Sequence, residues 1–349
     1  MVFSAAPPPS ARSDDSYHFG RFSRPIPLPD IVAPGLLGRF RLKEWHYLSV
    51  TSSRWFFAFA VVRLGYACKV FSYLVDRESP TVKWEFSHLA PLSLGVSFAE
   101  SSVRGKTSWQ SGPSSLSVTY QQSGLESGPE RGQPGWQVAV HLQLGEKHLH
   151  GEFFVEEADS LALLYRLPTG MPAYTHKAAG LRTRGFLQAG KEHIDLGEAV
   201  AGIDWTRSVA LRETRWQWSA LQGRTPQGSL VGLNLSALVY DDEHGDSQEN
   251  ALWLDGRVYL LGGVQFELPN NPRREPWRIR SKSTGSPEVD LVFTPLGTRE
   301  EQLNAGVIKS NFIQPYGTYQ GTLCPKDGAL PSISVNGLLG VVETHHSVW

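Results

Sequence analysis

The chain has 349 residues, 40% apolar and 19% charged, which excludes a disordered or fibrous chain and is too long for one small domain. Its net charge of −1 excludes a global field that would recruit nucleic acid or an anionic membrane. Two cysteines, Cys68 and Cys324, are too few for a disulfide framework or a zinc site, leaving two separate thiols or a single bridge.

Residues 1–35 are rich in Pro, Ser and Ala and read as a disordered leader passing into an extended wrapping segment. Residues 1–16 lack an apolar h-region and carry Asp14 and Asp15, so they are not expected to be a secretory signal, and the cytoplasm is the default location. From Glu44 the pattern becomes β: Trp45, Tyr47 and Ser49 alternate with Glu44, His46 and Leu48. The apolar run 55–62, bounded by Arg54 and Arg63, is far shorter than the ~20 residues of a membrane helix and reads as a strand. Further strands are expected at 68–75, 81–86, 92–98, 116–120, 136–144 and 149–155, with a hairpin loop over 121–135. Residues 36–170 form the expected N-terminal β unit. Pro168, Gly170 and Pro172 interrupt the pattern, and a junction is expected over 171–203.

The C-terminal β unit is expected over 204–349. Its strand candidates are 214–221, 229–238, 251–254, 257–261, 277–281, 289–295, 316–323 and 338–349; Asp255-Gly256 is a two-residue hairpin signal because both positions favour positive φ. A helical turn is expected over 299–306. Trp45/Tyr47 and Trp216/Trp218, each an aromatic pair two residues apart on one strand face, are a weak internal echo. So many short strands indicate an all-β protein of two antiparallel barrels or half-barrels.

The densest polar and aromatic cluster is Asp204-Trp205-Thr206-Arg207 with Arg212-Glu213-Thr214-Arg215-Trp216-Gln217-Trp218. Strand parity puts Trp216 and Trp218 on one face and Arg215 and Gln217 on the other. Arg215, Asp204 and Arg207 then either orient a polar ligand group or form a buried ion pair tying a loop to a barrel. Glu249, entering the apolar run Ala251-Leu252-Trp253, is either a raised-pKa general acid or a strand-start residue. In the last strand Glu343 and His345 share one face; His346 shares the other with Val342 and Val348 and is the candidate inward-facing proton donor, or else a core or rim histidine. His148, His150 and Glu152 alternate on one face, as in a cupin-like metal site or a solvated strand face. Tyr174 and Lys177 follow a Pro/Gly turn, placed either for acid–base work or to close a loop. Phosphate loops, Gly-x-Ser-x-Gly and Cys-x-x-Cys are absent from the sequence, which counts against nucleotide-driven and serine-hydrolase chemistry, and neither a cofactor nor a metal is expected; the aromatics lack the basic clusters of nucleic-acid binders.

Glu44-Trp45-His46-Tyr47, Tyr174-Thr175-His176-Lys177, Asp204-Trp205-Thr206-Arg207, Thr214 through Trp218, Glu249 through Trp253, Tyr316-Gly317 and Glu343 through Trp349 together resemble the bacterial domain-of-unknown-function family numbered 2804. The resemblance runs from about Phe19 to the last residue. More distantly, the architecture is similar to tandem lipocalin-like proteins: carotenoid hydratases, tocopherol cyclases and fungal Diels–Alderases. That similarity implies two lipocalin-like barrels with a cavity between or within them, acting on long apolar molecules without a redox cofactor.

The expected partner is therefore an apolar lipid- or isoprenoid-like small molecule, with neither nucleic acid nor a transmembrane segment. For acid-assisted hydration, cyclisation or isomerisation, Glu249, Asp204 or His346 would supply the acid. Arg215, Arg207, Tyr316, Tyr174 and Lys177 would hold a polar head, and Trp216, Trp218 and Trp253 would form the wall. The alternatives are a non-catalytic lipid carrier and a structural or partner-binding protein with no ligand.

Overall fold

The computed structural model describes residues 3–349 except 5, 80, 123–131, 284–286, 307 and 326–330. Among the described residues the fold is almost entirely β, arranged in two large curled antiparallel sheets. In the first sheet β1 (Leu42–Thr51), β2 (Trp55–Arg63) and β3 (Ala67–Asp76) are successive neighbours, with Thr81–Pro91 beyond β3. On the other side of β1 lie β4 (Pro172–Ala189) and β5 (Val200–Val209), with β5 against β1. Lys147–Glu156, Gly135–Leu144, Ser114–Gln121 and Lys106–Ser111 continue the sheet beyond β4. The second sheet is built around β6 (Glu213–Arg224), β7 (Leu230–Ala237), β8 (Val289–Ala305), β9 (Ile308–Leu323) and β10 (Ile333–Val348).

The two units share one strand arrangement. Each unit's first long strand bonds both its own successor and the unit's last strand: β1 pairs β2 and β5, and β6 pairs β7 and β10. The internal echo follows this equivalence, because Trp45 and Tyr47 lie on β1, and Trp216 and Trp218 lie on β6.

Three apolar layers result. Each sheet wraps its own core: Leu48, Phe57 and Phe59 belong to the first, and Leu221, Phe293 and Val342 to the second. A third cluster joins the outer faces of the two sheets through Tyr47, Phe56, Tyr73, Trp218 and Val341. This explains the continuous apolar run 55–62. Phe57, Phe59 and Val61 fill the barrel while Phe56, Ala58 and Ala60 meet the other sheet, so β2 has no polar face. The two sheets approach closely where Gly180, at a bulge in β4, faces Gly232 on β7. A Cβ on Gly232 would stand 2.4 Å from the Gly180 nitrogen, so no side chain is accommodated there.

Several sequence expectations meet the structure here. Asp255 and Gly256 both adopt positive φ, 48° and 81°, and join Ala251–Leu254 to Arg257–Leu260. Residues 171–203 contain β4 and lead into β5 of the first sheet, and the chain crosses to the second sheet between Val209 and Glu213. Residues 299–306 do not form a helical turn: β8 continues through Ala305, held by its ladder with β9. The leader packs rather than dangles in its described part. Phe3–Ser4 pairs with Gly20–Phe22, and Ala11 and Ile26 are fully buried. Of the 121–135 loop, residues 123–131 lie outside the described residues. Cys68 and Cys324 are both free thiols.

Candidate functional site

A cavity of about 390 Å³ opens between the two sheets, at one end of their shared apolar layer. Its size falls within the range of small-molecule sites. Its wall is aromatic because the odd-numbered residues of β1 and the even-numbered residues of β6 point out of their own barrels. Trp45 and Trp216 stack at 6.2 Å with 19° between their planes, and Tyr47 meets Trp218 edge-on at 5.3 Å. Phe71 and Phe312 continue this wall.

Two carboxylates reach the cavity from equivalent strands. Asp204 on β5 is paired in register with Tyr47, and Glu343 on β10 with Trp218. Each therefore sits on its unit's closing strand, beside the second aromatic of the echoed pair, yet the two have opposite surroundings. Asp204 Oδ2 lies 2.5 Å from Lys177 Nζ, and Glu249 Oε1 lies 3.4 Å from the same ammonium. All three groups are buried. Burial alone would lower the lysine, but Asp204 and Glu249 outweigh it and keep its pKa above the usual value. Burial pushes Glu249 up, against the pull of Lys177.

The hydrogen-bond partners of Glu343 are neutral, and the buried Arg299 guanidinium adds only a smaller downward pull on its carboxyl. Trp216 Nε1 donates to Oε1 at 2.6 Å and Gln314 Nε2 donates to Oε2 at 2.8 Å, while Gln314 accepts from the Tyr73 hydroxyl at 2.9 Å. Burial raises the Glu343 carboxyl to about 7, more than these hydrogen bonds lower it, and the Asp204 charge adds to the rise. His345, 3.8 Å from Glu343, is held by Ser310 and Ser347 at its Nε2, and burial lowers it to about 3, so it is a neutral imidazole. The site thus contains two carboxyls beside an ammonium and a third, Glu343, that keeps its proton to near neutrality.

Of the residues singled out in the sequence, Asp204, Lys177, Glu249, Trp216 and Trp218 line this cavity together. Arg215 stands at its rim, exposed and 2.9 Å from Glu213. His346 is also at the surface, 2.8 Å from the same Glu213. Arg207 is directed away from the cavity, to Glu44 and to the carbonyls of Ala99 and Glu100. Tyr174 is buried under the N-terminal segment, where its hydroxyl accepts from the Ile26 amide at 2.9 Å. Trp253 donates to the Asp159 carbonyl in the packed region near Ala179. Tyr316 packs on Tyr73 in the inter-sheet layer. His148, His150 and Glu152 lie on a solvent-exposed strand face, and no described group of three or more His, Cys, Asp and Glu side chains is arranged to hold a metal.

Sequence reasoning did not select Glu343, His345 or Gln314. The signal was parity: Glu343 and His345 are ionisable members of the face of β10 that lies beside the Trp face of β6. Because the Arg215–Glu213 pair is exposed, Arg215→Ala should leave the urea unfolding midpoint unchanged. Any change in ligand affinity in that variant would then report a contact at the rim rather than a damaged fold.

The molecule is, by fold and site, a tandem lipocalin-like β protein with a cavity between its two units. Residues 20–349 match the family described as domain of unknown function (DUF2804), and the chain belongs to that family. None of the curated proteins compared with the chain matches it. Among solved structures it is similar to a candidate AttH from Nitrosomonas europaea, with 14% identity, a TM-score of 0.50, and 87% of this chain and 92% of that one covered. It is also similar to kievitone hydratase from Nectria haematococca, at 8% identity and a TM-score of 0.48, and to CghA, at 11% and 0.47. Each of these two covers 88% of both chains. Such identities establish a likeness of fold alone.

Proposed function

We propose that the inter-sheet cavity binds an apolar, lipid- or isoprenoid-like molecule and promotes its acid-assisted hydration, cyclisation or isomerisation, with Glu343 as the proton donor. The observation that carries this reading is the pairing of an aromatic wall with a buried carboxyl that stays protonated to about pH 7. Proton transfer from Glu343 to a substrate alkene makes a carbocation and a carboxylate. The carboxylate keeps the Trp216 and Gln314 N–H bonds, which strengthen as its charge develops. The faces of Trp45, Trp216 and Trp218 offer π density to the cation. Water capture followed by proton loss completes hydration. Loss of a neighbouring proton completes isomerisation, or cyclisation after ring closure. In each case the released proton restores the acid. The Lys177 ammonium and its two carboxylates supply a fixed polar anchor for a substrate oxygen.

Native mass spectrometry of gently purified protein, with organic extraction of what co-purifies, tests the reading. A stoichiometric apolar molecule that turnover converts by addition of water, or at unchanged mass, is expected. Recovery of the same molecule unaltered would make the protein a carrier. An empty protein with no thermal shift across a lipid and isoprenoid panel would overturn the reading altogether.

A further inference from the structure

We infer that the mouth of the cavity docks on an anionic lipid bilayer, through the helix Gly35–Arg41 and the turn that follows Thr81–Pro91. Leu36, Phe40, Leu89, Leu92 and Leu94 are between 52% and 74% exposed, and the helix and the turn after Thr81–Pro91 both pack against the hairpin turn 64–66 between β2 and β3. Lys43 fixes the helix to that turn, donating to the Phe40 and Leu64 carbonyls at 2.7 Å each. Gly65 lies against the helix backbone so closely that a Cβ there would be 2.5 Å from the Arg39 carbonyl oxygen. The Leu92 amide donates to the Tyr66 carbonyl at 2.8 Å, and Cys68 Sγ donates to the Leu94 carbonyl at 3.4 Å. Leu64, Tyr66 and Leu89 themselves line the cavity, so the exposed apolar surface is continuous with its interior.

Charge selects the occupant. Arg39 and Arg41 are exposed in the last turn of the same helix, and no described acidic side chain pairs with either. Although the net charge of −1 supplies no global attraction, this local pair does. Apolar side chains at a protruding tip flanked by arginines match the boundary between acyl chains and anionic headgroups. A few projecting side chains are far short of the roughly 800 Å² per partner that a stable protein interface buries. The inference rests on the cavity reading for its purpose, since a membrane is the source of an apolar ligand.

Co-sedimentation of the full chain with vesicles of phosphatidylcholine, and of phosphatidylcholine with about a third phosphatidylglycerol, tests it. Binding to the anionic vesicles that weakens with added salt is expected. Leu36→Ser/Phe40→Ser/Leu92→Ser should lower that partition by about tenfold or more, with the thermal melt retained. Arg39→Ser/Arg41→Ser should abolish the anionic preference and leave only weak, salt-insensitive binding. Wild-type protein that stays in the supernatant with both vesicles would overturn the proposal, as would an unchanged partition in the folded triple variant. So would a dimer in vesicle-free solution that the triple variant dissociates, since the patch would then serve a second copy. Vesicle binding needs no cavity occupant, so an empty cavity in a vesicle-binding protein would sink the ligand reading alone.

Discussion

Lys177→Met should cost the fold about 3–5 kcal/mol, the range for breaking a buried ion pair from one side. The substitution keeps most of the volume but leaves Asp204 and Glu249 buried without their ammonium. The loss should appear as a lowered urea midpoint at neutral pH. Adding Asp204→Asn and Glu249→Gln to Lys177→Met should recover much of the stability. An unaltered midpoint in the single variant would mean that the three groups do not compensate one another in the folded protein.

Glu343→Gln should change the pH dependence of stability and, under the proposed chemistry, turnover. The folded state holds the Glu343 proton up to about pH 7, whereas the unfolded chain releases it near its ordinary value of 4.5. Between these pH values the folded state binds more protons, so this group makes stability fall as pH rises across the window and contributes no slope below or above it. The fall is on the order of 3 kcal/mol. Glutamine cannot ionise, so its variant should lack that slope, while its oxygen still accepts from Trp216. Urea titrations at several pH values check this, and parallel curves for the two proteins would refute it. Turnover should drop by roughly 10²–10⁴-fold, the range for a lost general acid.

Much of the fold was legible because its signals are local. Period-two alternation from Glu44, the Asp255-Gly256 turn and the unbroken apolar stretch at 55–62 each follow from what a strand must bury and what a tight turn must adopt. The family resemblance drew on motifs that are now seen to be spatially clustered: Glu44 meets Arg207, Trp45 meets Trp216, and Lys177 meets Asp204. What the sequence did not disclose was which face is functional. A strand has two faces, and here both are apolar, one toward its own barrel and one toward the other sheet. Taking the Val342 face of β10 as the inside directs attention to His346, which runs beyond the barrel core to the surface. The Glu343 face contributes to the cavity instead. Arg299 likewise sits in a strand, buried over the Phe71 ring at 3.8 Å, because a long-range ladder decided the conformation of residues that locally suggest a turn.

The stacking of Trp45 on Trp216, equivalent residues of equivalent strands, has the form of an isologous contact, the kind by which two identical subunits recognise each other. Here the subunits are halves of one polypeptide. A true homodimer would have to carry the same carboxylate, with the same neighbours, on both sides of its axis, and any improvement to one would be copied to the other. Covalent fusion removes that constraint. It leaves Asp204 free to be matched with a lysine and Glu343 free to be raised towards neutrality by burial, so that equivalent positions present two different chemistries to a single cavity.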